Sequence, residues 1–222
     1  MHRSRSVTVP IDETLSTAQK AYDRLKRMIV TVELVPGSSL SEAGIMERLE
    51  VGRTPLREAL RRLSDEGFVT IYPRRGLVVR QLGLVDAQHV FDSRAVIEPA
   101  NARAAAGRLD AVSMSRLAAI DVDIQRYEEK GDFMAFMDTD KALHLAIADI
   151  AGNRLLFEFT ERILSWNCWL WFTHLRRFGV EASDFAPHQH IIDAIYQRDG
   201  DAAARAMSQH VEVSRELLRL AL

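Results

Sequence analysis

The chain has one cysteine in 222 residues, Cys168. A lone thiol excludes an intramolecular disulfide framework and suits a reducing compartment, so the expected location is the cytoplasm. Its tryptophan neighbours, Trp166, Trp169 and Trp171, point to a buried structural thiol rather than a nucleophile. No apolar run approaches the roughly 20 residues that a membrane helix needs. Met1–Pro10 carries two arginines but no apolar stretch, which points away from a secretory signal and toward an irregular arm. Neither charge dominates, with 29 basic residues against 31 acidic, and no internal repeat or low-complexity tract stands out. The H-E-x-x-H pair of a zinc protease and the G-x-S-x-G elbow of a hydrolase are also missing, so no catalytic residue is assigned and an enzyme is not expected. A hydrophobic content of 47% with ordinary charge describes a globular protein of one large domain or two small ones.

What the sequence does contain is concentrated first in Gly52–Leu60, GRTPLREAL. Thr54 and Pro55 fall in a first helical turn, where proline's missing N–H costs little. Leu56, Ala59, Leu60 and Leu63 then recur at i, i+3, i+4 and i+7, a stripe for burial. Arg53, Arg57 and Arg61 recur every fourth residue on another face. A helix packed on one side and presenting spaced guanidinium groups on another suits the major groove, where arginine pairs bidentately with guanine. A solvated basic helix has the same pattern, so the flanks decide. Upstream, Ala18–Val30 places Tyr22, Leu25 and Ile29 on one helical face, and a Pro36-Gly37 turn follows. Ser41 is the expected N-cap of a second helix carrying Ile45, Met46 and Leu49. Downstream, Asp65-Glu66-Gly67 closes the third helix. Phe68–Tyr72 and Leu77–Val79 read as strands joined by Pro73-Arg74-Arg75-Gly76, a hairpin with a basic tip able to touch phosphates or a minor groove. Three short helices and a hairpin make a winged helix-turn-helix, expected over residues 15–80.

The order P-G-x-x-L-S-E, L-x-V-x-R-T-P-L-R-E-A-L-R-R-L, E-G-F-V and P-R-R-G, from Pro36 to Gly76, resembles the N-terminal signature of GntR-type bacterial transcription regulators. The resemblance implies operator contacts by Arg53, Thr54 and Arg57, and a wing tip that Gly76 lets approach the DNA backbone. Three positions depart from it. Gly52 stands where the family usually has Ser or Thr, so the recognition helix lacks a side-chain cap and a hydroxyl for phosphate. Glu50 replaces the usual glycine of the turn, and Ala43 stands where some members carry another contacting arginine. Residues 1–82 have a net charge of +4 and residues 83–222 one of −6, which fits phosphate binding by the first part alone.

After a short linker, Arg80–Gly83, the pattern is helical nearly throughout. Six helices are expected, at roughly 84–107, 110–129, 132–151, 154–178, 184–198 and 200–221, with breaks at Gly107, Gly131, Gly152 and Gly179 and an N-cap at Asn153. The fold class is therefore mainly α: a winged helix-turn-helix followed by an all-α bundle over residues 84–222. Asp140 and His144 are four apart on one helical face, His188 precedes an apolar run near the start of the fifth helix, and His210 lies three after Met207 on the last. Three imidazoles and a carboxylate are a donor set for Zn²⁺, Ni²⁺ or a similar divalent ion. Spacing alone favours separate buried histidines, each satisfied in a helical interior.

The second half in turn resembles the FCD domain of the FadR subgroup of these regulators, in its shorter, VanR-like, six-helix form. The marks are Arg94-x-x-x-Glu98, Asp140-x-x-x-His144, Gly152-Asn153, His188-x-x-Ile191-x-x-Ala194-Ile195 and Gly200-Asp201 before His210. The resemblance implies a metal held by Asp140, His144, His188 and His210. His190 competes for the third position, but the Ile191/Ala194 register favours His188. It further implies a homodimer on operator double-stranded DNA, controlled by a small-molecule carboxylate effector bound near the ion. Arg94 is the candidate to hold that carboxylate, an intrahelical Arg94–Glu98 pair being compatible with it, and Asn167 is a candidate lining residue. Repression relieved by effector is the expected mode. A regulator for which the ion itself is the signal is the alternative.

Overall fold

The computed structural model describes residues 15–72, 76–130, 132–178 and 188–219, and the chain divides into two compact units that part between Gln81 and Leu82, except that Val30–Val32 group with the second. In the first unit, α1 (Thr17–Val30), α2 (Glu42–Leu49) and α3 (Arg53–Asp65) accompany a small antiparallel sheet. The expected apolar stripes are its core: Tyr22, Leu25 and Ile29 from α1, Ile45 and Leu49 from α2, and Leu56, Ala59, Leu60 and Leu63 from α3 are all buried. Ser41 Oγ accepts the Gly44 N–H at 3.3 Å and caps α2 as expected. Its far end turns through Glu50, whose φ of +56° is left-handed, the conformation a glycine adopts freely at this position. The departure from the usual glycine is thus tolerated at some backbone strain.

The sheet holds one strand more than the sequence suggested. β1 (Ser39–Leu40) pairs with β3 (Gly76–Val79), which pairs with β2 (Val69–Tyr72), giving the order β1-β3-β2. Leu77 is the shared partner of Leu40 and Ile71, so the hairpin is tied to the segment that leads into α2. Two residues are too few to show a strand period, and β1 exists only because β3 offers it an edge.

The second unit contains α4 (Leu84–Arg108), α5 (Ala111–Lys130), α6 (Phe133–Ile150), α7 (Arg154–Phe178), α8 (Gln189–Tyr196) and α9 (Gly200–Arg219). α4 lies against α6, α7, α8 and α9 and is the axis of the bundle. It continues through Pro99, which has no N–H to give the Ala95 carbonyl. Its inner face carries Arg94, Glu98 and Asn101 among small alanines, so its amphipathic signal is weak although its burial is deep. Gly200 starts α9 where a Cβ would meet the Arg103 carbonyl oxygen of α4 at 3.0 Å, a close approach that suits glycine.

Asn153 Oδ1 accepts the N–H groups of Leu155 and Leu156, at 3.1 and 3.2 Å, and starts α7 after Gly152 at φ +70°. Two expectations need correction. Gly107 does not break α4 but lies in its last turn, with Leu109 as the cap. The fifth helix of the bundle starts at Gln189 rather than 184, with His188 as its N-cap; the expected break at Gly179 lies among residues 179–187, outside the described residues. Gly131 and the Met1–Pro10 arm also lie outside them. No described helix is long and apolar enough to cross a membrane.

Candidate metal centre and nucleic-acid interface

On α3 the burial stripe leaves Arg53, Thr54, Arg57 and Arg61 exposed. Gly52 caps the helix with no side-chain hydrogen bond, so the N–H groups of the first turn remain available to an anion. Arg57 Nε lies 3.3 Å from Glu42 Oε2 on α2, with the arginine side chain 63% exposed. In the sequence Glu42 stands as the last position of P-G-x-x-L-S-E, beside the Ser41 cap, with no contact to Arg57 signalled. These two residues, with Leu60, Tyr72, Gly76 and Leu77, line an open groove of about 490 Å³ between α3 and the hairpin. Gly76 has φ +99° and open space around its Cα, so the backbone there is accessible. Arg74 and Arg75 lie outside the described residues.

In the bundle, Asp140 and His144 come from α6, His188 from the cap of α8 and His210 from α9, and all four are buried. One ligand atom from each lies within 4.8 Å of every other. His190, the competing residue, is exposed. His188 Nε2 is 2.8 Å from Asp140 Oδ1, and His144 Nε2 is 3.7 Å from the same oxygen. The His210 ring lies 4.5 Å from that of His188 and 5.0 Å from that of His144, centre to centre. Three imidazoles crowded in a water-poor interior repel once protonated. Burial, then the charges at His188 and His144, accordingly push His210 well below the ordinary histidine value.

Burial opposes ionisation of Asp140, but His144 and His188 more than offset it and hold the carboxyl at about 2. Burial would lower His144 as well, yet the carboxylates of Glu98 and Asp140 outweigh it and raise the imidazole. Metal ligation requires neutral imidazole, so an ion at this place competes with a proton on His144. The residues fit a divalent ion. The donors are one carboxylate and three imidazoles, and His144 Nε2 and His210 Nδ1 are buried without a hydrogen-bond partner among the described residues.

Beside the cluster runs a polar chain. Arg94, 1% exposed, gives its Nε to Glu98 Oε1 at 2.5 Å and its Nη1 to Asn167 Oδ1 at 2.9 Å. The two residues expected to face an effector therefore meet each other, and the intrahelical Arg94–Glu98 pair is present too. Glu98 Oε2 in turn touches His144 Nδ1, close but off the straight line of a good hydrogen bond. Cys168 is buried, and burial pushes its thiol up to about 12, which removes it as a nucleophile.

Residues 89–213 match the family described as FCD domain, and residues 17–79 the one described as bacterial regulatory proteins, gntR family. The chain is 28% identical over 217 residues to the HTH-type transcriptional repressor RspR of Escherichia coli (strain K12), spanning 96% of this chain and 94% of that protein. It is 28% identical over 193 residues to the Nta operon transcriptional regulator of Aminobacter aminovorans, spanning 83% and 86%. Among solved structures, Escherichia coli McbR/YncC shares the fold at a TM-score of 0.83 with 19% identity, over 93% of this chain and 99% of that one.

Proposed function

The chain belongs to the gntR family of bacterial regulatory proteins and carries an FCD domain, and from that premise we propose that it is an operator-binding repressor controlled by a small carboxylate held beside a divalent ion. As a DNA-binding transcriptional regulator, like its relatives, it is not an enzyme. The observation that carries the finer reading is the convergence of Asp140, His144, His188 and His210, from three separate elements, on one buried point.

In this reading those four residues hold the ion, with zinc or nickel suited to the donors. A divalent ion so held offers further coordination positions to the oxygens of an organic acid. Arg94 and Asn167 form the polar wall that orients the acid, Arg94 through charge-assisted hydrogen bonds. At the other end, Arg53, Thr54 and Arg57 read base edges and backbone in the major groove, while Arg74, Arg75 and Gly76 bring the wing to the phosphates. The protein works in the cytoplasm as a homodimer through the unit spanning residues 84–222, so that two heads, each spanning residues 15–80, meet two half-sites of a near-palindromic operator. The word repressor in the name of RspR supports repression as the mode.

A thermal-shift screen of the zinc- or nickel-loaded protein against a panel of carboxylic acids tests the reading. A specific acid stabilises by mass action, about 2.7 kcal/mol at a hundred times its Kd. A dose-dependent rise confined to one class of acid is expected. Shifts with neutral compounds and none with any acid would overturn the carboxylate assignment. A rise with metal alone, coupled to a change in operator affinity, would make the ion itself the signal.

A further inference from the structure

We propose that Glu98 is a positioning residue of the metal centre: its carboxylate holds the Nδ1 edge of His144, so that Nε2 is the atom presented to the ion, while Arg94 holds Glu98 in turn. The inference rests on the metal reading above. Glu98 is 3% exposed and stands outside the four-donor cluster, on α4, a helix that contributes no ligand to it. Its two oxygens are shared between neighbours. Oε1 receives Arg94 Nε, and Oε2 lies 3.4 Å from Arg94 Nη2 while touching His144 Nδ1. The opposite edge of that imidazole, Nε2, faces Asp140 Oδ1 and makes no hydrogen bond among the described residues.

An imidazole can offer either nitrogen, and the partner of one decides which is left for a metal. At His188 and His210 the Nδ1 atoms have no hydrogen-bond partner among the described residues. His144 Nδ1 likewise lacks a well-aligned hydrogen bond, but among the described residues His144 is the one ring of the three with a carboxylate from outside the donor set lying against its Nδ1. A carboxylate this deep needs a counter-charge, and Arg94 at i−4 supplies it. The row Arg94–Glu98–His144 joins the wall assigned to the effector acid to the ion's ligands by direct contact.

A merely structural Glu98 would serve only to neutralise Arg94. To separate the two roles, Arg94→Met is combined in the full-length protein with either Glu98→Leu or Glu98→Gln, so that no buried cation is stranded. Co²⁺ serves as the probe, its affinity measured by competition with a chelator and its visible spectrum recorded, with circular dichroism confirming the fold. The Leu double variant is expected to bind Co²⁺ 10- to 100-fold more weakly than the wild type with a shifted spectrum. The Gln double variant, whose amide oxygen still accepts from Nδ1–H, is expected to recover most of that loss. A folded Leu double variant with wild-type spectrum and affinity within about threefold would overturn the proposal. A wild-type protein that takes up no Co²⁺ would overturn the metal reading itself, a distinct result.

Discussion

Arg57 is a side chain that adds little to folding and, under the proposed function, carries base recognition. Its contact with Glu42 is an exposed pair, a class worth about 0–1 kcal/mol to stability. The same contact engages Nε and leaves the two Nη groups at the solvent end of the fork, the end that can meet guanine O6 and N7. Arg57→Ala is therefore expected to leave the melting temperature nearly unchanged. It should weaken operator binding by about 1–3 kcal/mol and relax preference at one base pair. Arg57→Lys should restore the charge but not the preference, since an ammonium lacks the fork. Fluorescence anisotropy at fixed salt, on the operator and on single-base variants, reads the binding effects, and thermal denaturation reads the melting temperature. Unchanged affinity for Arg57→Ala would remove this residue from the reading set.

At the scale of elements, the stripes on α1 to α3 were legible because a 3.6-residue period is local, and so were the caps Ser41 and Asn153. The register of Ile191 and Ala194 favoured His188 over His190 as a ligand, and His188 is buried where His190 is exposed. What it could not show depends on distant partners. β1 exists through β3, α8 begins at a cap with no side-chain hydrogen bond, and Glu98 meets His144 across two helices. The gathering of Asp140, His144, His188 and His210 is equally tertiary. Spacing could place two of them on one face of a helix, but only packing brings the four within reach of one ion.

α3 offers a direct test of a local departure. Gly52 has φ −75° and ψ 169°, which any residue adopts, and a Cβ there would come no closer than 3.9 Å to Pro55 Cδ. Gly52→Ser should thus add a side-chain acceptor for the first turn and reduce the freedom of the unfolded chain. A gain of about 0.5–1 kcal/mol in urea unfolding is expected. A loss of stability would show that the start of α3 is held by something other than its cap.

For the whole molecule, regulation requires that the acid and the DNA favour different arrangements of the protein; tight binding alone shifts nothing. The requirement carries a numerical consequence. If the acid found by thermal shift weakens operator affinity by some factor, operator DNA must weaken affinity for the acid by that same factor, because both report one coupling free energy. A factor of roughly 5–150 is the usual range for such coupling. Anisotropy on the operator with and without acid gives one side of the cycle, and calorimetry of the acid with and without operator gives the other, both on metal-loaded protein at one salt concentration. Equal factors would place acid and DNA on one equilibrium of the folded protein. Unequal factors would mean that the two measurements do not share their end states, for instance because the acid also strips the ion. Repeating the cycle at higher metal concentration separates that case: competition by chelation disappears as metal is added, whereas a coupling carried by the protein stays the same.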